Sequence, residues 1–281
     1  MRSTNAFVVP TLCDLTLLEK CIASINKQNS PDFEVVLVVG RQCNPKSDIL
    51  KSIMSSLEYH TEIIRQEGKG IIGAMNTIYS LPYNNIVLTD EDAIPDKSYF
   101  INSINLLENN NDIGCAFGKV NGQFPDSILN RFIRTVNTMF SRQALFGKHP
   151  FRYFNSIGLP SGGNPRSLKS SNQVEDYFPI GVSMSWKQCE IRNFRLPNYS
   201  QRGILYESYM AAFLYKKNLK SVFSKDINVK HQSRESLSRG LRGARINLQD
   251  LYKAPEMLEE MGYNVNRDWR SKILKHTLGF L

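Results

Sequence analysis

The chain has 281 residues, 41% hydrophobic and 22% charged, enough for one large α/β domain or two smaller ones and the proportions of a globular protein. Lys and Arg number 35 against 26 Asp and Glu, a formal charge of +9 that points to an anionic partner: nucleic acid, anionic lipid or a phosphorylated small molecule. No stretch reaches the roughly 18 consecutive apolar residues of a membrane-spanning helix. The N-terminal apolar patch is broken by Pro10, a poor signal peptide, so a soluble, cytoplasmic protein is expected, with peripheral membrane contact left open. The five cysteines (Cys13, Cys21, Cys43, Cys115, Cys189) are odd in number, scattered and free of any CxxC pair. They read as buried or idle thiols rather than a zinc site or a disulfide framework.

Along the chain, Ala6 to Val9 is expected as a strand ended by Pro10. Leu15 to Ile25 reads as a helix, with Leu18, Cys21, Ile22 and Ile25 at helical spacing. "FEVVLVVG" is a continuous apolar run, the pattern of a parallel strand covered on both faces. "DILKSIMSSL" (helix), "TEIIRQ" (strand), "GIIGAMNTIYSL" (helix) and "NIVLTD" (strand) continue the alternation. Such alternation predicts a Rossmann-like, doubly wound, mostly parallel sheet flanked by helices, with right-handed crossovers. Ligands of such sheets sit beyond the carboxyl ends of the strands. "NNIVLTDEDAIPD" places Asp90, Glu91 and Asp92 at such an end, with Pro95 expected to stop regular structure soon after. Adjacent carboxylates repel in a poorly solvated turn, so a positive partner is expected beside them.

Beyond Asp96, "KSYFINSINLLENN" reads as a helix and "IGCAFGKVNG" as a strand, followed by a basic amphipathic segment over 127–154. Residues 154–173 are rich in Gly, Ser, Pro and Asn and are expected as a mobile loop. "YFPIGVSMSWKQCEI" returns to a strand leading into a helix. "LYESYMAAFLYKKN" is a helix whose Asn218 suits a left-handed C-terminal cap.

Four features line up: "FVVPTL", with Pro10 and Thr11 where the first strand ends; "RQEGKGIIGAMN", a glycine-bearing loop leading into a helix; the Asp90–Glu91–Asp92 cluster; and Glu207 at a helix start together with His231 in "INVKHQSRESLSRG". Together they resemble the family 2 glycosyltransferases, inverting enzymes of the GT-A fold, over roughly residues 5–245. The resemblance implies transfer of a sugar from a nucleotide-sugar donor, with Mn²⁺ or Mg²⁺ offsetting the charge that builds on the diphosphate leaving group. It assigns Asp92 to the metal and Asp90 to the ribose or metal-bound water, with Glu91 beside them at the donor. His231 falls to the metal or the diphosphate. Glu207 matches the base that removes the proton of the acceptor hydroxyl. Pro10, Thr11 and Asn76 are expected near the donor. Lys69 stands between two glycines where backbone can approach a ligand, and Arg234 has a guanidinium suited to phosphate oxygens.

Two departures from the family pattern stand out. Tyr206 precedes Glu207 where an acid is more usual, and Gly40 and Arg41 stand where many relatives carry an Asp pair that reads the base. The donor is thus open between UDP- and GDP-sugars. A single GT-A domain is expected over 1–245, with a nucleotide-sugar half at about 1–120 and an acceptor half at about 121–245. A basic amphipathic helical extension should follow over 246–281.

Residues 127–142 put Ile128, Leu129, Phe132, Ile133, Val136, Met139 and Phe140 largely on one helical face beside Arg131, Arg134 and Arg142. Residues 267–281, "RDWRSKILKHTLGFL", mix apolar and basic residues in a similar way. Basic amphipathic helices lie in membrane interfaces or pack on a core. The first alternative implies a lipid-linked acceptor such as a polyprenyl phosphate or a lipid-linked glycan. Three rivals are weighed. A nucleotidyltransferase is disfavoured because "VVPTLCDL" lacks a glycine-rich loop, and a nucleic-acid-binding module because it leaves the acidic cluster unexplained. A degenerate sugar-nucleotide-binding protein without turnover is the third.

Overall fold

The computed structural model describes residues 3–30, 32–121, 173–175, 181–196, 203, 205–232 and 240–265. Arg234, the basic segments at 127–142 and 267–281, and the glycine-rich loop up to its last residue, Gln173, lie outside them.

The first third follows the predicted alternation: β1 (Asn5–Thr11), α1 (Leu15–Ile25), β2 (Glu34–Val39), α2 (Asp48–Ser55), β3 (Thr61–Arg65), α3 (Gly70–Tyr79) and β4 (Asn85–Thr89). After it come β5 (Ala93–Pro95), α4 (Tyr99–Glu108), β6 (Ile113–Asn121), β7 (Gln173–Glu175), β8 (Ser183–Lys187), α5 (Gln188–Ile191), α6 (Tyr206–Lys216), β9 (Lys220–His231) and α7 (Gly240–Glu260). The strands form one sheet in the order β3-β2-β1-β4-β8-β6-β9-β5, with β7 also paired to β9. β3, β2, β1 and β4 are mutually parallel. β8 runs antiparallel to both β4 and β6, and β9 is parallel to β6. The sheet is therefore parallel where helices connect its strands and mixed beyond β4.

Both faces are covered, as the apolar runs require. Ala6, Val8, Val36, Val38, Ile86 and Leu88 point towards α3, α6 and α7. Phe7, Val9, Val35, Leu37, Val39 and Val87 point towards α1, α2 and α4. α7 runs unbroken through the boundary expected at 245, and its Leu251, Ala254, Met257 and Leu258 are buried in the first of these clusters. Asn218 takes the left-handed conformation expected of it (φ 61°) and follows the last turn of α6. Among the described residues no helix is long and apolar enough to cross a membrane.

Two local expectations are corrected. Pro10 lies within β1 instead of ending it. The β1–β4 ladder stops at Val8↔Leu88, so beyond it β1 has only β2 beside it, a place where proline is tolerated. Pro95 ends regular structure as expected, as the last residue of a short strand, β5, which pairs with the end of β9 at the edge of the sheet. Finally, Cys13 and Cys43 are not idle thiols but a disulfide, with Cα atoms 6.0 Å apart. Their loops follow β1 and β2, adjacent parallel strands, so topology joins cysteines 30 positions apart.

β9 reaches the site because it slips against β6. Phe117 and Gly118 pair with Phe223 and Ser224, but Lys119 pairs with Asn228. The bulge brings the Ile227 carbonyl over Gly118, where an added Cβ would lie 1.9 Å from that oxygen.

Two predictions follow from these contacts. Gly118→Ala should destabilise the protein by about 1–3 kcal/mol through overpacking, read as a lower urea midpoint at unchanged slope. In denaturant without reductant, thiol titration should find Cys21, Cys115 and Cys189 alone, and reduction should lower stability by roughly 3–4 kcal/mol from loop closure.

Candidate active site

The acidic cluster occupies the turn after β4, but its three side chains do different things. Glu91 is 3% exposed. Its Oε2 accepts hydrogen bonds from the Thr11 hydroxyl and from the N–H groups of Leu12 and Asp14, the latter two at 3.2 Å. Thr11 Oγ1 in turn accepts from the Cys13 N–H at 2.8 Å, and Asp14 caps α1 through Leu17 N–H. The middle carboxylate is thus satisfied by neutral donors of the β1–α1 loop, just ahead of a helix N-terminus. Glu91 and Thr11, both placed with the donor from the sequence, are joined to each other.

Asp90 is half-buried and Asp92 is 9% exposed. Asp92 Oδ1 lies 3.5 Å from His231 Nε2. This approach is set by backbone pairing: Ala93 opposes His231 in the β5–β9 ladder, and the Gln232 N–H donates to the Asp92 carbonyl at 2.7 Å. The sheet therefore brings together two sequence-predicted residues 139 positions apart (231 less 92). Cys21 Sγ lies 3.6 Å from the Asp90 carbonyl oxygen. Burial, and then the charges of Asp90, Asp92 and Glu91, push the Cys21 thiol far above its ordinary value, so it stays protonated. The Asp90 and Asp92 carboxylates offer oxygen of the kind a hard divalent cation takes, and the His231 imidazole lies beside Asp92. Among the described residues no three His, Cys, Asp or Glu side chains stand together in a way that could hold a metal ion.

Glu207 stands in the first turn of α6, half-buried. The chain enters that helix through Leu205, a left-handed non-glycine residue at φ 79°, a conformation that costs about 1–2 kcal/mol. Glu207 Oε1 accepts the Gly181 N–H at 3.2 Å. Burial raises the carboxyl from its ordinary 4.5 to about 7, while its own N–H and that of Gly181 pull the other way. The phenols of Tyr79 and Tyr206 are pushed well above their usual value, by burial first and the Glu207 charge second.

The remaining sequence-predicted residues are more dispersed. Lys69 is exposed at the start of α3 between Gly68 (φ 78°) and Gly70 (φ 61°), the bare-backbone setting its neighbours suggested. Asn76 donates to the Leu196 carbonyl (2.9 Å) and accepts the Leu196 N–H (2.8 Å), so its amide tethers the stretch after α5. Pro10 is half-exposed near the end of β1. Sequence reasoning missed Gly181, because nothing in "YFPIGVSM" marks it. It also missed Asp250 on α7, whose Oδ2 accepts the Gly203 N–H at 3.1 Å ahead of Glu207.

The model of glycosyl transferase family 2 matches residues 6–160, more than half of the chain. The chain belongs to glycosyl transferase family 2. The matched span holds the acidic turn and ends before Glu207 and His231. No curated protein matches the sequence. Among solved structures, this glycosyltransferase is similar to the mannosyltransferase PcManGT from Pyrobaculum calidifontis in complex with GDP-Man and Mn²⁺. That match has 15% identity and a TM-score of 0.57, covering 99% of this chain and 75% of that one. It is also similar to residues 1–349 of S. aureus TarS in complex with UDP-GlcNAc, with 14% identity and a TM-score of 0.57, covering 99% and 72%. Against the longer S. aureus TarS chain, at 13% identity and a TM-score of 0.55, it again covers 99% of itself but 43% of its neighbour. Likeness at these identities shows the fold, and that fold is GT-A.

The raised carboxyl carries a prediction. A carboxylic acid whose folded pKa lies above its unfolded value binds extra protons when folded, so stability falls as pH rises from about 4.5 through about 7. Glu207→Gln removes that loss. Its melting temperature should exceed the parent's above pH 7 and converge with it at low pH, as read by calorimetry across the range.

Proposed function

We propose that the protein is a metal-dependent inverting glycosyltransferase that moves a sugar from a UDP- or GDP-sugar to an acceptor hydroxyl or phosphate. The observation that carries this reading is the division of labour in the acidic turn. Glu91 is engaged by the β1–α1 loop, while Asp90 and Asp92 follow the carboxyl end of β4 and Asp92 lies 3.5 Å from His231. That end is where such sheets bind ligands.

Asp92 and Asp90 would hold Mn²⁺ or Mg²⁺ through oxygen, with His231 beside them, and the cation would neutralise the departing diphosphate as a Lewis acid. The chain's own residues do the rest. Lys69, on its glycine-flanked turn, and Arg234 offer cationic groups to the phosphates. Thr11 and Glu91 fix the loop against which the nucleotide lies, and Pro10 and Asn76 shape the neighbouring wall. Glu207 takes the proton as the acceptor O–H bond breaks. The acceptor oxygen bonds to the anomeric carbon from the face opposite the diphosphate, and the sugar–oxygen bond breaks with its electron pair leaving on the diphosphate. A carboxyl near 7 suits a base working at neutral pH.

The donor is bound mainly by residues 1–120 and the acceptor by residues 121–245, with 246–281 as a basic extension. The amphipathic basic patterns of 127–142 and 267–281 support a lipid-linked glycan or polyprenyl phosphate acceptor at the cytoplasmic face of a membrane. The excess of positive charge supports anionic substrates of either kind.

Thermal stability titrated with UDP, GDP and their sugar conjugates, with Mn²⁺ and then with EDTA, tests the reading. A ligand at a hundredfold excess over its Kd adds about 2.7 kcal/mol to the folded state. One nucleotide should raise the melting temperature only with metal present, and Asp92→Ala should abolish the shift. A protein that responds to none of them does not use a UDP- or GDP-sugar, and the reading moves to a degenerate or non-nucleotide-binding relative.

A further inference from the structure

The clamp on Glu207 has a second half that the transfer reading leaves unexplained. Gly181 precedes β8, and β8 is the strand paired antiparallel to β4, with Ser183 opposite Thr89 and Met184 opposite Leu88. The buried Thr89 hydroxyl donates across that rung to the Val182 carbonyl at 3.2 Å. Thr89 is the residue before Asp90. The backbone that donates to Glu207 is thus held to the strand that ends in the acidic turn.

Gly181 also has no room for a side chain. An ideal Cβ there would lie 1.8 Å from the Tyr206 hydroxyl oxygen, 2.7 Å from Tyr206 Cζ and 2.7 Å from Glu207 Oε1. No conformational demand accounts for this, since Gly181 is not among the residues of positive φ. Space alone accounts for it: the Tyr206 ring and the Glu207 carboxylate occupy the volume a Cβ would need. Among the described residues, Glu207 Oε1 is the oxygen that accepts the Gly181 N–H, so that hydrogen bond orients the carboxylate that is read as taking the proton.

We propose that Gly181 is a positioning residue for the transfer step. Its N–H and its bare α-carbon together fix the Glu207 carboxylate relative to the β4 turn. The proposal rests on the reading of Glu207 as the base. Gly181 touches neither donor nor acceptor; it acts through Glu207. Among the described residues, the titratable groups that feel the charge of that carboxylate are Tyr79 from α3 and Tyr206 from α6, both kept neutral by burial.

The test uses the full chain and follows release of UDP from UDP-GlcNAc and of GDP from GDP-mannose, alongside nucleotide affinity by thermal shift. Gly181→Ala should keep nucleotide affinity and KM within about twofold while kcat falls by roughly a hundredfold, the cost of an ångström of misplacement. Tyr206→Phe in the Gly181→Ala background removes the oxygen in closest conflict and should recover about tenfold of that loss. A Gly181→Ala enzyme with parental kcat overturns the proposal. So does one whose nucleotide affinity and kcat fall together, which marks a merely structural residue. Glu207→Gln reports separately: if it retains parental turnover, the base reading fails whatever Gly181→Ala does. Should Gly181→Ala not fold, amide hydrogen exchange decides. Exchange at Gly181 should be at least about tenfold faster in Glu207→Ala than in the parent, as the loss of a hydrogen bond to a charged acceptor requires, and equal rates overturn the proposal.

Discussion

Three hydrogen bonds to one carboxylate oxygen tie the turn after β4 to the loop between β1 and α1. Glu91 Oε2 gathers the Thr11 hydroxyl and the N–H groups of Leu12 and Asp14. A loop between a strand and a helix carries unmatched backbone donors, and a buried anion beside a helix N-terminus satisfies them while its own charge is offset. The tie crosses from β4 to β1, the place where the sheet's order reverses. Because Glu91 is turned inwards there, its neighbours Asp90 and Asp92 are set at the strand end. The Cys13–Cys43 disulfide extends the same tie to the loop after β2, so the ends of three parallel strands form one connected rim.

The opposite wall is built by register. Gly181 leads into β8, which is laid against β4, while β9 bulges over Gly118 and carries His231 to Asp92. Neither placement depends on the identity of the functional side chain. Each depends on a residue that lacks one: a Cβ at Gly118 would meet the Ile227 carbonyl, and a Cβ at Gly181 would meet Tyr206 and Glu207. Close packing makes such positions as exacting as the polar ones.

Glu207 combines two costs in one place. Leu205 holds an unfavourable left-handed backbone, and burial disfavours the charged form of the carboxyl that follows it. The surroundings that enforce both are ample: Asp250 of α7 holds Gly203, and the Tyr206 ring is packed over Gly181. Stability given up at one carboxyl is the usual companion of a proton acceptor near neutral pH.

Much of this was legible in the sequence. The alternation of apolar runs and helical stripes determined the strand and helix content of residues 5–121, because both signals are local periodicities. The acid cluster after "NIVL" and the left-handed cap at Asn218 were legible for the same reason: each is a short-range pattern with a single physical meaning. What the tertiary structure decided was everything set by partners distant in the chain. It assigned Glu91 to the Thr11 loop and Asp92 to His231, paired Cys13 with Cys43, and set Gly181 against Glu207. It also put Pro10 inside a strand, since a proline is excluded only where a neighbouring strand needs its N–H, and neighbours are a property of the assembled sheet. A one-dimensional pattern records what a residue prefers. The strand order and register determine what it meets.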